Sequence, residues 1–108
     1  MKLYIGGAYQ GQEELARGEN PDALILPDFQ ETVREALSRG EDPRALARRV
    51  IAEQPDAVIT ANEVGAGVVP LKAEDRAWRE GVGRALCLIA QHAESVTRVV
   101  CGIGVRIK

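Results

Sequence analysis

Lys2-Leu3-Tyr4-Ile5-Gly6-Gly7-Ala8-Tyr9-Gln10-Gly11-Gln12-Glu13 opens the chain directly after Met1, and its reading decides the fold. A short apolar run, Lys2–Ile5, breaks on a glycine pair, and a short helical segment, Glu13–Arg17, follows the loop. Strand, tight loop and helix in that order form the first half of a βαβ unit. The same alternation runs through the rest of the chain. Ala23–Leu26, Ala57–Ala61 and Thr97–Cys101 are further short runs rich in Val, Ile and Leu. Their continuous rather than alternating apolarity fits strands covered on both faces.

Helical patterns fill the gaps. Asp28 stands where an N-cap would, with Glu31 at capping-box spacing. Phe29, Val33, Ala36 and Leu37 make an apolar face, and Gly40 is the expected stop. Asp42-Pro43 starts the next helix, acid as cap and proline in the first turn, with Leu46, Val50 and Ile51 pointing inward. The longest helix is expected over Ala73–Ala93, with Trp78, Val82, Ala85, Leu86 and Ile89 on one stripe. That stripe serves either the core or a subunit contact. The predicted order is strand–helix–strand–helix–helix–strand–helix–strand. It implies a single compact α/β domain over residues 1–108, three-layered, with a mostly parallel sheet and helices on both faces.

Composition narrows the function classes. The chain has 108 residues, 45% hydrophobic and 28% charged, with a net charge of −2. Folding at this length buries roughly two thirds of the unfolded surface, enough for a core without staples. No stripe of Lys and Arg offsets the negative balance, so a nucleic-acid partner is not expected. With those hydrophobic and charged fractions, a membrane partner is not expected either. Cys87 and Cys101 lie in apolar runs and are expected to be buried, reduced thiols. The opening residues run straight into glycines without the apolar core of a secretory signal. A cytoplasmic location is the default expectation.

In open α/β sheets, ligands bind beyond the carboxyl ends of the strands. Here those ends read Gly6-Gly7, Pro27-Asp28, Asn62-Glu63 and Gly102. The first loop, Gly6, Gly7, Ala8, Tyr9, Gln10, Gly11, Gln12 and Glu13, has the glycine spacing of a phosphate-binding loop, but Gln12 stands at the lysine position and Glu13 at the Ser/Thr position. Such a loop needs free backbone N–H groups, a cation on the β- and γ-phosphates, and a hydroxyl on Mg²⁺. The spacing retains only the first. Glu13 and Glu14 fall in the first helical turn, where the macrodipole favours carboxylates in the place a phosphate would take. A carboxylate ~4 Å from a phosphate oxygen repels it by ~4 kcal/mol at an effective dielectric of 20. The competing reading is a loop retained only as a turn.

A second loop, Asn62-Glu63-Val64-Gly65-Ala66-Gly67-Val68-Val69-Pro70, follows the third run. Its paired glycines allow close backbone approach. Glu63, at a strand end, is placed to hold Mg²⁺ through water or to accept from a substrate hydroxyl. A carboxylate satisfying loop amides is the plainer alternative.

The run Val58–Pro70 resembles the Asn-Glu-Val-Gly-x-Gly-Ile-Val-Pro signature of the adenosylcobinamide kinase/adenosylcobinamide-phosphate guanylyltransferase family, which serves cobalamin assembly and corrinoid salvage. Arg76-Ala77-Trp78-Arg79-Glu80 and Gly83-Arg84 are similar to that family's Arg-x-Phe-Arg-Asp and Gly-Arg. Val100-Cys101-Gly102-Ile103-Gly104-Val105-Arg106-Ile107-Lys108 is similar to its closing strand, and Gly6-Gly7-Ala8 with Gly11 to its opening loop. The resemblance implies a P-loop-NTPase-like sheet. It also implies GTP or ATP with Mg²⁺ in the first loop, a nucleotide or corrinoid as small-molecule partner, and a homo-oligomer packed through the 73–93 helix. It assigns nucleotide contacts to residues 6–13, metal or substrate contacts to Glu63 and Asp28, and motif-loop roles to Asn62, Gly65, Gly67 and Pro70. Asp28 is equally explained by helix capping, and Arg76 and Arg79 by a solvated, salt-bridged face.

The departures matter as much. Relative to the family, a central stretch is missing, and with it the histidine that accepts GMP. His92 matches no family position, and Leu86-Cys87 replaces a polar pair. With the lysine, hydroxyl and histidine all absent, the expectation is a degenerate family member that is weak or inactive and binds nucleotide or corrinoid. The alternatives are an active minimal kinase/guanylyltransferase and a non-catalytic structural or regulatory subunit.

Overall fold

A computed structural model describes residues 1–64 and 72–108. Its elements are β1 (Lys2–Gly6), α1 (Gln12–Glu19), β2 (Ile25–Leu26), α2 (Phe29–Ser38), α3 (Pro43–Glu53), β3 (Val58–Asn62), α4 (Ala73–His92), β4 (Ser95–Val100) and β5 (Ile103–Arg106). The strands form one sheet in the order β2-β3-β1-β4-β5. All neighbours are parallel except β4 and β5.

Side chains alternate across the strands, and each face finds its own cover. Leu3, Ile59, Ala61 and Val96 pack with Phe29, Val33, Leu46, Val82 and Ile89 of α2, α3 and α4. Tyr4, Val58 and Val99 pack with Ala16 and Leu15 of α1 on the opposite face. The expected three layers are present. Right-handed crossovers account for the split. The chain leaves β1 toward one sheet edge through α1, then returns through α2–α3 and crosses β1 through α4, so the two directions of travel place helices on opposite faces.

Several local signals work as read. Asp42 accepts from the Ala45 N–H at 3.2 Å, with Pro43 in the first turn. Gly40, at φ 75°, ends α2 in a Schellman arrangement: its N–H donates to Leu37 O at 3.0 Å and the Glu41 N–H to Ala36 O at 2.9 Å.

Others differ. Asp28 has φ 53° and makes no capping bond, so the capping box with Glu31 does not form. Its N–H donates to Thr60 Oγ1 at 3.3 Å, and its carboxylate accepts from Gln30 Nε2 at 3.4 Å, which turns it toward β3 instead. Cys87 and Cys101 are exposed rather than buried. Cys87 lies on the outer side of α4, since the apolar run around it is wider than the stripe facing the core. Cys101 is in a turn: with φ 52° it pairs with Gly102 at φ 76° to reverse the chain into antiparallel β5. Two consecutive positive φ values fit the hairpin geometry that matches sheet twist. The Trp78 stripe packs on the core: Val82, Ala85 and Ile89 are buried, and Trp78 and Leu86 are half-buried against them.

Candidate functional site

Strands β1 and β3 are neighbours, with Gly6 opposite Asn62. Their exit loops lead to helices on opposite faces, α1 from β1 and α4 from β3. This switch point opens a crevice at the strands' carboxyl ends, where ligands of such sheets bind. Gly6 and Gly7 form one wall, and Asn62 and Glu63 the other.

Gln12 fills the crevice between them. It is buried, and its Nε2 stands 2.8 Å from Asn62 Oδ1, 3.1 Å from Gly7 O, 3.2 Å from Gly6 O and 3.3 Å from Ala61 O. A primary amide has two N–H donors, so the hydrogens are shared among more acceptors than they can serve fully. The seat suits an ammonium, and a neutral amide occupies it. A Cβ on Gly6 would come within 2.5 Å of Val99 O, so only glycine lets β1 run this close to β4.

The rest of the loop is tied to neighbouring strands. Gln10 Oε1 accepts from the Cys101 N–H and Gln10 O from the Gly102 N–H, both at 2.7 Å. The β4–β5 turn is thereby latched onto the loop. Gly11, at φ 87°, begins α1 with no side-chain cap on its first turn. Tyr9 adopts φ 62° with its ring fully in solvent.

On the far wall, Asn62 N–H donates to Gln30 Oε1 at 2.9 Å, and Trp78 Nε1 donates to Gln30 O at 2.7 Å. Gln30 thus ties β3, α2 and α4 together. The resulting hollow, about 420 Å³, is bordered by Ala8, Gly11, Glu13, Glu14, Asp28 and Asn62.

The structure thus gathers residues 8, 9 and 11–13, Asp28 and Asn62 at one hollow, with Gly6 and Gly7 in its floor through Gln12 and Gln10 behind it. Glu63 is directed elsewhere. Its N–H donates to Gly6 O at 2.8 Å, while its carboxylate faces Arg98 of β4 at 3.7 Å. Gly65, Gly67 and Pro70 lie outside the described residues. Glu13 turns outward and pairs with Arg17 at 3.0 Å, one helical turn on. Its charge is partly met on the helix surface rather than directed into the loop.

The sequence reading missed Gln30 and Thr60. Thr60 carried a signal, a polar residue inside the run Val58-Ile59-Thr60-Ala61. Gln30 had none, because its partners are remote in sequence.

A magnesium-bound triphosphate needs positive charge, a metal-binding hydroxyl and carboxylates turned toward the metal. The hollow's border carries Glu13, Glu14 and Asp28 and no Lys or Arg. No group of three or more His, Cys, Asp or Glu suited to a metal occurs among the described residues. These residues do not fit that ligand. The chain's histidine is also misplaced for nucleotidyl transfer to it. His92 ends α4, beside the amino-terminal end of β4 and across the sheet from the hollow.

A family model described as cobinamide kinase / cobinamide phosphate guanyltransferase matches residues 23–107. The match begins beyond the first loop and α1, so it rests on β2 onward. No curated protein matches the chain significantly. No helix among the described residues is long and apolar enough to cross a membrane.

Proposed function

The chain belongs to the cobinamide kinase / cobinamide phosphate guanyltransferase family, and we propose that it is a binding member that does not itself carry out phosphoryl or guanylyl transfer. The observation carrying this reading is the Gln12 amide in the crevice, within 3.3 Å of Gly6 O, Gly7 O, Ala61 O and Asn62 Oδ1. A lysine at that place serves two ends, bridging the loop carbonyls and neutralising phosphate charge in the transition state. The amide serves only the first. It holds the loop in its folded curve and brings no charge to a reacting phosphoryl group. Glu13 in the next position replaces the hydroxyl that would hold Mg²⁺, and its carboxylate is engaged by Arg17 instead.

Covalent guanylyl transfer needs a nucleophile activated near the phosphorus, and His92 stands beyond the opposite, amino-terminal end of the strands. The family's corrinoid chemistry therefore survives here as recognition. The test is transfer from GTP or ATP, with Mg²⁺, to adenosylcobinamide, followed as nucleoside diphosphate or diphosphate release and as corrinoid phosphate. No turnover above the protein-free control is expected. Catalytic turnover would overturn the reading and establish the chain as a minimal enzyme of the family.

A further inference from the structure

We propose that the groove between α3 and the solvent side of α4 binds a phosphate-bearing ligand with an apolar body. The groove has a volume of about 750 Å³ and is rimmed by Arg44 of α3 and by Arg76, Arg79 and Arg84 of α4. That volume is in the range of small-molecule sites. Glu80 brings the one carboxylate among its lining residues and is paired with Arg84. Arg76 and Arg79 each hold an interaction within the chain, and a guanidinium with five donors retains others for a ligand. The chain as a whole has a net charge of −2, so this concentration of guanidinium is a feature of the place rather than of the composition. Arginine's fork matches the paired oxygens of a phosphate.

The floor supplies the second half of the argument. Helix α4 carries two interior glycines, and each costs stability relative to alanine. Gly81 has a packing reason, since a Cβ there would lie 2.9 Å from Pro43 Cγ. Gly83 has none: a Cβ there would meet nothing within 4 Å. Gly83 instead lines the groove with Cys87 and Leu88, leaving an apolar trough beneath the arginines. A bare inorganic anion uses only the rim, whereas a phosphate ester on a bulky, largely apolar body uses both. A two-fold contact with a second copy through this face would set the same arginines against one another.

The hollow by Gln12 plays no part in this site, so the two can fail separately. Calorimetric titrations with inorganic pyrophosphate, GTP and cobinamide phosphate supply the arms. GTP or cobinamide phosphate should bind at least about tenfold more tightly than pyrophosphate, and whichever does identifies the body. Binding should weaken with added salt. Gly83→Leu, whose Cβ meets open space and whose side chain would occupy the trough, and Arg44→Glu should each lower that affinity about tenfold or more. Gly83→Leu should retain helicity and Tm, and Gln12→Ala should leave the groove's affinity unchanged. Equal binding of all three probes, no binding, or binding that survives both groove substitutions would overturn the proposal. So would a dimer, seen by sedimentation, that Gly83→Leu abolishes.

Discussion

A side-chain amide offers two N–H donors, and that of Gln12 faces Gly6 O, Gly7 O, Ala61 O and Asn62 Oδ1. Removing it strands buried acceptors at the junction of β1 and β3. Gln12→Ala should therefore cost about 2 kcal/mol, read as a lowered midpoint in urea; an unchanged midpoint would mean that the amide holds nothing. The paired change Gln12→Lys with Glu13→Ser should raise affinity for magnesium-bound GTP by about tenfold to a hundredfold, the worth of one charge-assisted contact. Titration of the variant against the unaltered chain measures it. The glycine spacing and the missing lysine were legible in the sequence. That Gln12 would turn inward was not, because Ala61 and Asn62, which receive it, lie far along the chain. The outward turn of Glu13 toward Arg17 could have been read from their i,i+4 spacing, and it softens the repulsion expected of first-turn carboxylates.

Among the elements, α4 holds an internal control. Gly83→Ala meets open space and should stabilise by about 0.5–1 kcal/mol through helix propensity. Gly81→Ala drives a Cβ against Pro43 and should destabilise by about 1–3 kcal/mol. Thermal melts of the two variants should move in opposite directions. The β4–β5 turn gives a second case. Cys101 occupies left-handed backbone that asparagine tolerates better, so Cys101→Asn should raise stability by about 0.5–1 kcal/mol. Strand and helix order was readable from β1 to β4, as were the Asp42 cap and the Gly40 stop, since all depend on neighbours in sequence; the fifth strand was not. The β4–β5 reversal was not, since Cys101-Gly102 is a weak turn signal inside an apolar run. Asp28 misled for a related reason. It has the chemistry of a cap, but its backbone is held by a tertiary bond to Thr60 and its carboxylate is taken by the nearby Gln30 amide.

On the scale of the whole molecule, the sheet order β2-β3-β1-β4-β5 brings the exits of β1 and β3 to one crevice and leaves His92 at the other end. At that other end, burial, reinforced by donation to Glu19 at 2.7 Å, raises the Tyr4 hydroxyl above its ordinary value of 10.0. Neutral tyrosine is thus favoured in the folded state. Its contribution is complete below about pH 10 and is lost as pH rises through the higher folded value. Stability should decline in alkaline solution, and Tyr4→Phe should flatten that decline. An alkaline limb unchanged in Tyr4→Phe would assign the loss to other groups. Arginines gathered on the outer side of α4 escaped the sequence reading because they looked like a solvated face, and only the fold shows Arg44 of α3 joining them.

The most direct measurement is a crystal structure grown with GTP and Mg²⁺. The expected result shows the Gln12 amide still seated among Gly6, Gly7, Ala61 and Asn62, with no triphosphate in the hollow beside it. A triphosphate lying along the backbone amides of Ala8 through Glu13, with Gln12 displaced from the crevice, would contradict it.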